Sequence, residues 1–307
     1  MSQFFHGCTI LIGFLFLVLT SRASTFDYRA ELRRSANYLT AEFRCWIPES
    51  SKPLAGALVI LPGNNIDGRE ATDVNAYRSW CQEMNFALIG CFFTGDQQHY
   101  YSNARGGSGL ALIDAVRSFS DQSDRRELYN GHLALIGFST GAQFVFSFAC
   151  DEPERVLGFV ANKLVYPTAR PIGGTYDTPG LFVVGEEDET PSETNTLKIF
   201  NEGRDRRALW AVSTAFGQAH ADDSQKLAPL FLDYLKAVAD LRLNESNPSL
   251  DLERLQSWDG IFIHRETGAF VPGEERLASG NPELNWLPGK EIAEKIIRAN
   301  KLSPSQN

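Results

Sequence analysis

The sequence predicts an α/β protein in which a mostly parallel sheet is covered by helices on both faces. Three observations support this fold class. Short apolar runs such as Ala57 to Leu61 (ALVIL) and Phe86 to Phe93 (FALIGCFF) are typical of strands buried on both sides. Segments with helical spacing of apolar residues alternate with such runs along the chain. The length of 307 residues allows one core of roughly 200–250 residues together with an appendage.

The predicted strands and helices alternate within residues 24–243, which we take as the core domain. The segment Tyr38 to Ile47 predicts a strand, and Thr25 to Leu32 is expected to pair with it. Further strands are predicted at 57–61, 86–93, 132–138, 156–161, 181–184 and 208–212. Helices are predicted at 73–84, 110–116, 141–150, 190–200 and 227–238. Ligands of such a sheet bind at the carboxyl ends of its strands, so functional residues are expected there.

Both ends of the chain fall outside this alternating region. The apolar run Ile10 to Leu19 is followed by Ser21-Arg22-Ala23, which predicts a secretory signal peptide over residues 1–23 and a secreted or periplasmic location. An uncleaved signal anchor is the alternative, because the first residues carry no Lys or Arg. The run is shorter than the roughly 20 residues that span a bilayer. Residues 244–307 are expected to form a C-terminal extension packed on the core.

The balance of charges excludes several classes of partner. The chain has 29 basic and 38 acidic residues, a net charge of −9 that becomes −10 without Arg22. Such a surface repels phosphate backbones, so no nucleic-acid partner is expected. The cysteines left after signal removal lack Cys-x-x-Cys spacing and are either disulfide-linked or buried free thiols. They are Cys45, Cys81, Cys91 and Cys150.

Residues Gly137 to Gly141 read Gly-Phe-Ser-Thr-Gly between a predicted strand and a predicted helix. In that context the G-x-S-x-G pattern is typical of a nucleophile elbow, a tight turn that exposes a serine at the edge of the sheet. The glycines allow the turn to form and the substrate to approach. Ser139 is therefore the predicted nucleophile. The alternative is that Ser139 only caps the following helix.

The general base for this serine has to come from one of five histidines. His220 follows the last predicted core strand and precedes the last core helix, which suits a base on a loop above the sheet edge. The others lie in the signal segment, in a polar loop, at the start of the strand that leads to the elbow, and in the tail: His6, His99, His132 and His264.

An acid is needed to orient the imidazole and to stabilise its charged form. The strand Leu181 to Val184 runs into the acidic loop Gly185 to Glu189 at the same predicted edge. Asp188 is the predicted acid, and Glu187 is the second choice. An ordinary helix N-terminus would also account for these acids. The chain order serine, acid, histidine is the one expected of an elbow nucleophile in this topology.

Two backbone amides are expected to stabilise the oxyanion of the transition state. One belongs to Thr140, directly after the nucleophile. The other is expected after the strand ALVIL, in Pro62-Gly63-Asn64-Asn65, from Asn64 or, as the second choice, from Asn65. A plain Pro-Gly surface turn is the alternative.

The motifs PGNN, GFSTG, GEEDE and FGQAH, in this order, make the chain resemble the α/β-hydrolase fold over about Ala57 to Leu241. More loosely, the chain is similar to secreted esterases related to polyhydroxyalkanoate depolymerases, feruloyl esterases and dienelactone hydrolases. The resemblance implies an eight-stranded sheet with an antiparallel edge, and it implies cleavage of esters rather than amides. Pro62 stands where many relatives have histidine.

These residues predict a secreted serine hydrolase that cleaves carboxylic esters through an acyl-enzyme, with no metal or organic cofactor. The expected substrate is a small-molecule or polysaccharide-linked ester. Tyr100, Tyr101 and Tyr166 are predicted platforms for a sugar or aromatic ring, the alternative being ordinary surface tyrosines. Two other functions stay open: a serine peptidase of the same fold, and a catalytically inert module that binds carbohydrate. The oligomeric state is left open.

Overall fold

The computed structural model describes residues 23–34, 36–50, 52–222, 224–244, 251–272 and 280–301. Its main sheet contains eight strands: β1 (Ser24–Arg29), β2 (Thr40–Ile47), β3 (Gly56–Leu61), β4 (Phe86–Thr94), β5 (His132–Phe138), β6 (Val156–Asn162), β7 (Gly180–Gly185) and β8 (Trp210–Ala215). Their order is β1-β2-β4-β3-β5-β6-β7-β8. Strand β2 is antiparallel to both neighbours, and the other pairs are parallel. The predicted α/β class, with a mostly parallel eight-stranded sheet, is confirmed.

Helices cover both faces of this sheet. One face carries α1 (Asn75–Met84), α6 (Ala228–Arg242) and α7 (Lys290–Ala299), and the other carries α2 (Ser108–Ser123), α3 (Glu127–Asn130), α4 (Thr140–Asp151) and α5 (Ser192–Asp205). Successive side chains of a strand point to opposite faces. Along β3, Leu58 and Ile60 therefore pack with α1 and α6, whereas Ala57 and Val59 pack with α2 and α4. This double burial explains the continuous apolar runs of the central strands.

Several predicted elements have different boundaries in the structure. The helix predicted at 110–116, for example, spans Ser108–Ser123, and two further differences lie next to the loop of His220. The strand predicted at 208–212 lies at Trp210–Ala215, and the helix predicted at 190–200 lies at Ser192–Asp205. The helix is longer than predicted and ends in a tight turn in which Arg207 adopts a left-handed conformation, with φ of 68°. The strand therefore starts two residues later than predicted. The loop that follows β8 carries His220 and lies at the carboxyl edge of the sheet.

The C-terminal residues 251–272 and 280–301 pack against β8, the last strand of the sheet. Strands β9 (Ile261–His264) and β10 (Leu284–Leu287) pair antiparallel in a small separate sheet. The buried Asn285 side chain of β10 accepts a hydrogen bond from the Val212 amide and donates one to the Val212 carbonyl, each 2.9 Å long. Side chains of the extension therefore satisfy backbone groups at an edge that would otherwise be open.

The polar, turn-rich segment Asn244 to Ser249 is predicted to be a linker or long loop, and this segment and the first 23 residues lie almost entirely outside the described residues. The domain boundaries at 23/24 and 243/244 therefore stay predictions. In the described part of the chain, no helix is both long and apolar enough to cross a bilayer. The four described cysteines are free and buried, so the free-thiol alternative holds for all of them: Cys45, Cys81, Cys91 and Cys150.

Candidate active site

Ser139 lies in a sharp turn between β5 and α4. Its φ of 54° and ψ of −114° are a strained combination for a residue other than glycine. A Cβ atom on Gly137 would approach the Gly141 carbonyl oxygen to 2.2 Å, and one on Gly141 would approach the Leu61 oxygen to 2.2 Å. Both flanking glycines are therefore required by the backbone packing of the turn. The Ser139 side chain makes no hydrogen bond that caps α4, which removes the capping alternative.

The structure brings Ser139, His220 and Asp188 together at the carboxyl edge of the sheet. The distance from His220 Nε2 to Ser139 Oγ is 2.9 Å, and the distance from His220 Nδ1 to Asp188 Oδ2 is 2.8 Å. When Nδ1 donates its proton to the carboxylate, Nε2 remains available to accept the hydroxyl proton of the serine. The three side chains thus form a hydrogen-bonded chain in which Asp188 orients His220 and His220 can take the proton of Ser139.

Asp188 is held as an ionised carboxylate by local hydrogen bonds. Its Oδ1 atom accepts hydrogen bonds from the Thr190 amide at 3.0 Å and the Thr190 hydroxyl at 2.7 Å, and its side chain is only 1% exposed. Burial by itself raises the pKa of Asp188, but the hydrogen bonds from His220 and Thr190 outweigh burial and hold this pKa below its ordinary value. Glu187, the second choice, is exposed.

The two residues predicted to supply the oxyanion donors, Thr140 and Asn64, border one cavity of about 460 Å³, whose lining does not include Ser139 itself. Thr140 begins α4, and Asn64 belongs to the loop after β3. The amide of Asn65 donates a hydrogen bond of 3.2 Å to the Tyr101 hydroxyl, so it is already engaged. The Asn65 side chain further fixes the loop by bonding the amide and the carbonyl of Gly95. Of the two alternatives in this loop, Asn64 is the one whose amide is not bonded to Tyr101.

The three predicted tyrosine platforms have different environments. Tyr100 and Tyr166 are 61% and 59% exposed and border the same cavity as the oxyanion donors. Tyr101 is 3% exposed and stacks on Phe93, so neither face of its ring is available to a substrate. Its hydroxyl instead accepts the Asn65 amide and hydrogen-bonds the Thr140 side chain. Tyr101 therefore links the two backbone segments that carry the predicted oxyanion donors.

Three residues near the site were not singled out from the sequence. The carbonyl of Asn162 accepts a 2.9 Å hydrogen bond from the Ser139 amide, Thr190 holds Asp188, and Lys163 lies beneath the loop of His220. Asn162 ends β6 and Lys163 follows it directly. Polar residues immediately after a buried parallel strand are the signal that could have identified these two, because they must lie at the functional edge.

Comparison with solved structures identifies the fold. The chain is similar to an S-formylglutathione hydrolase from Agrobacterium tumefaciens (TM-score 0.51, 12% identity, 71% of this chain and 95% of that one). It is also similar to a hyperthermophilic esterase from the archaeon Pyrobaculum calidifontis (0.50, 12%, 72% and 87%) and to MGS-M1, an α/β-hydrolase enzyme from a deep-sea metagenome library (0.50, 14%, 71% and 99%). No protein-family model matches the chain, and no curated protein matches it. The chain therefore has the α/β-hydrolase fold, as the sequence motifs predicted.

Proposed function

We propose that this protein is a serine hydrolase that cleaves carboxylic esters through an acyl-enzyme. The observation that carries the proposal is the pair of hydrogen bonds, 2.9 Å and 2.8 Å long, that join Ser139 to His220 and His220 to Asp188. This geometry occurs at a strained elbow with glycines on both sides, where a serine hydroxyl is directed out of the sheet edge. A structural serine would not require such backbone strain.

The proposed reaction proceeds in two halves. Ser139 Oγ attacks the ester carbonyl carbon while His220 Nε2 takes the hydroxyl proton, and the amides of Thr140 and Asn64 stabilise the oxyanion. The protonated His220 then gives its proton to the departing alcohol, which leaves an acyl group on Ser139. In the second half, His220 removes a proton from water, the hydroxide attacks the acyl carbonyl, and His220 returns the proton to Ser139 Oγ as the carboxylic acid product leaves. Asp188 remains ionised throughout and stabilises the imidazolium.

The open cavity beside the oxyanion donors supports an ester substrate that carries a ring. Tyr100 and Tyr166 offer exposed aromatic faces at this cavity, and such faces bind sugars and aromatic acyl groups. The loops that carry them are linked, since the Thr168 hydroxyl donates a 2.7 Å hydrogen bond to the Ser102 carbonyl. A polysaccharide-linked or aromatic ester is therefore the proposed substrate class. Export is proposed from the apolar run at residues 10–19.

A fluorophosphonate label tests the nucleophile. We expect stoichiometric labelling of the wild type, complete loss of labelling in Ser139→Ala, and wild-type labelling in the control Ser118→Ala on α2. Turnover of p-nitrophenyl esters should fall about 10⁶-fold in Ser139→Ala, by analogy with measured triads. Residual activity within tenfold of wild type would show that Ser139 is not the nucleophile.

The same preparation separates the competing functions. Faster hydrolysis of p-nitrophenyl acyl esters, acetylated xylan or feruloyl sugars than of short peptides supports the esterase, and the reverse order supports a peptidase. If the folded wild type takes up no label, the result favours the inert binding module.

A further inference from the structure

Lys163 is a fully buried cation directly beneath the loop that carries His220. The residue follows β6, and its side chain is 0% exposed. Its Nζ atom donates hydrogen bonds to the carbonyl oxygens of Ala219 and, at 3.4 Å, of His220. No carboxylate of the described residues forms an ion pair with it. The ammonium group thus donates its hydrogen bonds to backbone carbonyls of one loop.

Burying an ammonium group without a paired carboxylate is unfavourable unless other groups compensate for its lost hydration. The compensation here consists of two charge-assisted hydrogen bonds and a contact with the Phe138 ring, whose centroid lies 5.8 Å from Nζ. Burial lowers the pKa of Lys163, while the more distant charges of Asp222 and Asp188 oppose this shift. If this side chain only filled space, the apolar side chain of methionine could do so without burying a charge.

The backbone of Lys163 is also strained. Its φ is 55°, in the left-handed region that residues with side chains rarely adopt. A 2.7 Å hydrogen bond from its amide to the Val183 carbonyl holds this conformation. The strain turns the chain sharply at the end of β6, directly below residues 219 and 220.

Other hydrogen bonds also hold the loop of His220. The Gly217 amide donates one of 2.9 Å to the Glu186 side chain, and the Asp222 amide donates one of 3.3 Å to the Ala219 carbonyl. The Ala219 amide donates a 2.7 Å hydrogen bond to the Asp222 side chain, and the Glu187 amide donates one of 3.1 Å to the Gln218 carbonyl. Among the described residues, the His220 carbonyl accepts its hydrogen bond from Lys163. Residues 217 to 222 are half-buried or exposed, so packing alone does not fix them.

We propose that Lys163 is a positioning residue: its ammonium group fixes the carbonyls of Ala219 and His220 and so holds the imidazole in line with Ser139. The proposal rests on the proposed function and deepens it, because a general base is effective only at the right distance and angle. A misplacement of about 1 Å can cost about 10²-fold in rate.

The test compares the wild type with Lys163→Met and with a matched control, Arg242→Met. Arg242 is also a buried cation devoted to backbone carbonyls, those of Val156 and Leu157, at the opposite end of β6. Two quantities are measured on the full chain: hydrogen exchange of the amides of residues 217–222, and the second-order rate constant of fluorophosphonate labelling at Ser139. The thermal midpoint of each variant is measured alongside.

In Lys163→Met we expect exchange in 217–222 to accelerate at least tenfold and labelling to slow by about 10²-fold. In Arg242→Met we expect both quantities at wild-type values despite a lower thermal midpoint. With a p-nitrophenyl ester, kcat should fall in Lys163→Met while KM changes less than threefold, because substrate binding does not involve this residue. A general loss of stability would not produce that split.

Wild-type exchange and wild-type labelling in Lys163→Met would overturn the proposal, and so would equal effects in Arg242→Met. If Lys163→Met does not fold, Lys163→Gln decides instead, since its neutral amide keeps a hydrogen-bond donor. In Lys163→Gln we expect faster exchange in 217–222 and slower labelling, both smaller than in Lys163→Met. Unchanged exchange and labelling in Lys163→Gln would overturn the proposal. Hydrogen exchange does not depend on serine reactivity. An unlabelled wild type would therefore refute the serine hydrolase, whereas the loop anchoring would still be judged by exchange.

Discussion

The His220 imidazole has partners on both ring nitrogens, and its orientation depends on the two together. Ser139 is placed by the strained turn and by the Asn162 carbonyl, and Asp188 is placed by Thr190. His220 belongs to a loop that is partly exposed, so its placement depends on side-chain contacts from Asp188 and on the cation beneath it. Substitutions around His220 should therefore change the rate of ester hydrolysis more than they change the free energy of unfolding.

Replacing Asp188 with asparagine tests the acid. An amide favours the wrong imidazole tautomer, so kcat for a p-nitrophenyl ester should fall by about 10⁴-fold. The exposed Glu187→Gln is the matched control and should stay within a few-fold of wild type. If Glu187→Gln shows the large loss and Asp188→Asn does not, the second choice is the acid.

The same variant has a pH signature in stability. The folded pKa of Asp188 lies below its ordinary value, so its ionisation favours the folded state above the unfolded pKa of about 3.9. That contribution is lost as the pH falls through the folded pKa. The difference in free energy of unfolding, wild type minus Asp188→Asn, should therefore decrease below about pH 4, as measured by urea denaturation at each pH. A difference that grows on acidification in this range would contradict the carboxylate environment described here.

Removing the Tyr101 hydroxyl tests how the oxyanion donors are held. In Tyr101→Phe the Asn65 amide and the Thr140 side chain lose a shared partner, which costs about 1 kcal/mol of stability. We expect kcat to fall about tenfold, equivalent to about 1.4 kcal/mol of transition-state stabilisation. Tyr129→Phe on α3 is the control and should retain wild-type kcat. Unchanged kcat in Tyr101→Phe would show that the two segments keep their geometry without this link.

At the scale of strands and helices, the central sheet was predictable because each strand is buried on both faces. Runs such as ALVIL and LALIGF contain no polar residue, and the G-x-S-x-G motif between such a run and a helical pattern indicates the strand-to-helix junction. Ser139, Asp188 and His220 follow from the order of strands, since each lies just after one. The roles of Tyr101 and Lys163 were not predictable, because they depend on which loops meet above the sheet.

The contact between β10 and β8 gives a prediction about stability. Asn285→Leu leaves the amide and the carbonyl of Val212 buried without their partner, which costs about 3 kcal/mol. The thermal midpoint should fall clearly, whereas the exposed Asn130→Leu on α3 should leave it unchanged. Fluorophosphonate labelling of folded Asn285→Leu should keep its wild-type rate, because the active site lies at another edge of the sheet. A thermal midpoint within 1 °C of wild type, on the order of 0.5 kcal/mol or less, would contradict this account.

At the scale of the whole molecule, two apolar layers sandwich the sheet and enclose every described cysteine. Burial raises the pKa of the Cys150 thiol to about 12 and raises those of Cys45, Cys81 and Cys91 well above the ordinary range. Thiolates are the reactive form, so these residues are inert while the protein is folded.

Thiol labelling therefore reports global unfolding. In the native protein we expect no maleimide adduct within minutes on the four described cysteines, and complete modification of all four in guanidinium, identified by mass spectrometry. Reducing agent should leave the thermal midpoint unchanged, because these four thiols are not cross-linked. Rapid maleimide modification of any of the four in the native protein would show that the apolar layer around that cysteine opens locally.

The pairing of Asn285 with Val212 also has a consequence for synthesis on the ribosome. Strand β8 is complete at Ala215, but the groups that cover its outer side belong to β10, roughly 70 residues later. At translation rates of roughly 5–20 residues per second, the nascent chain leaves β8 uncovered for several seconds. During that interval an unpaired strand is a template for joining another chain, so premature termination before β10 should yield insoluble product rather than a smaller soluble protein.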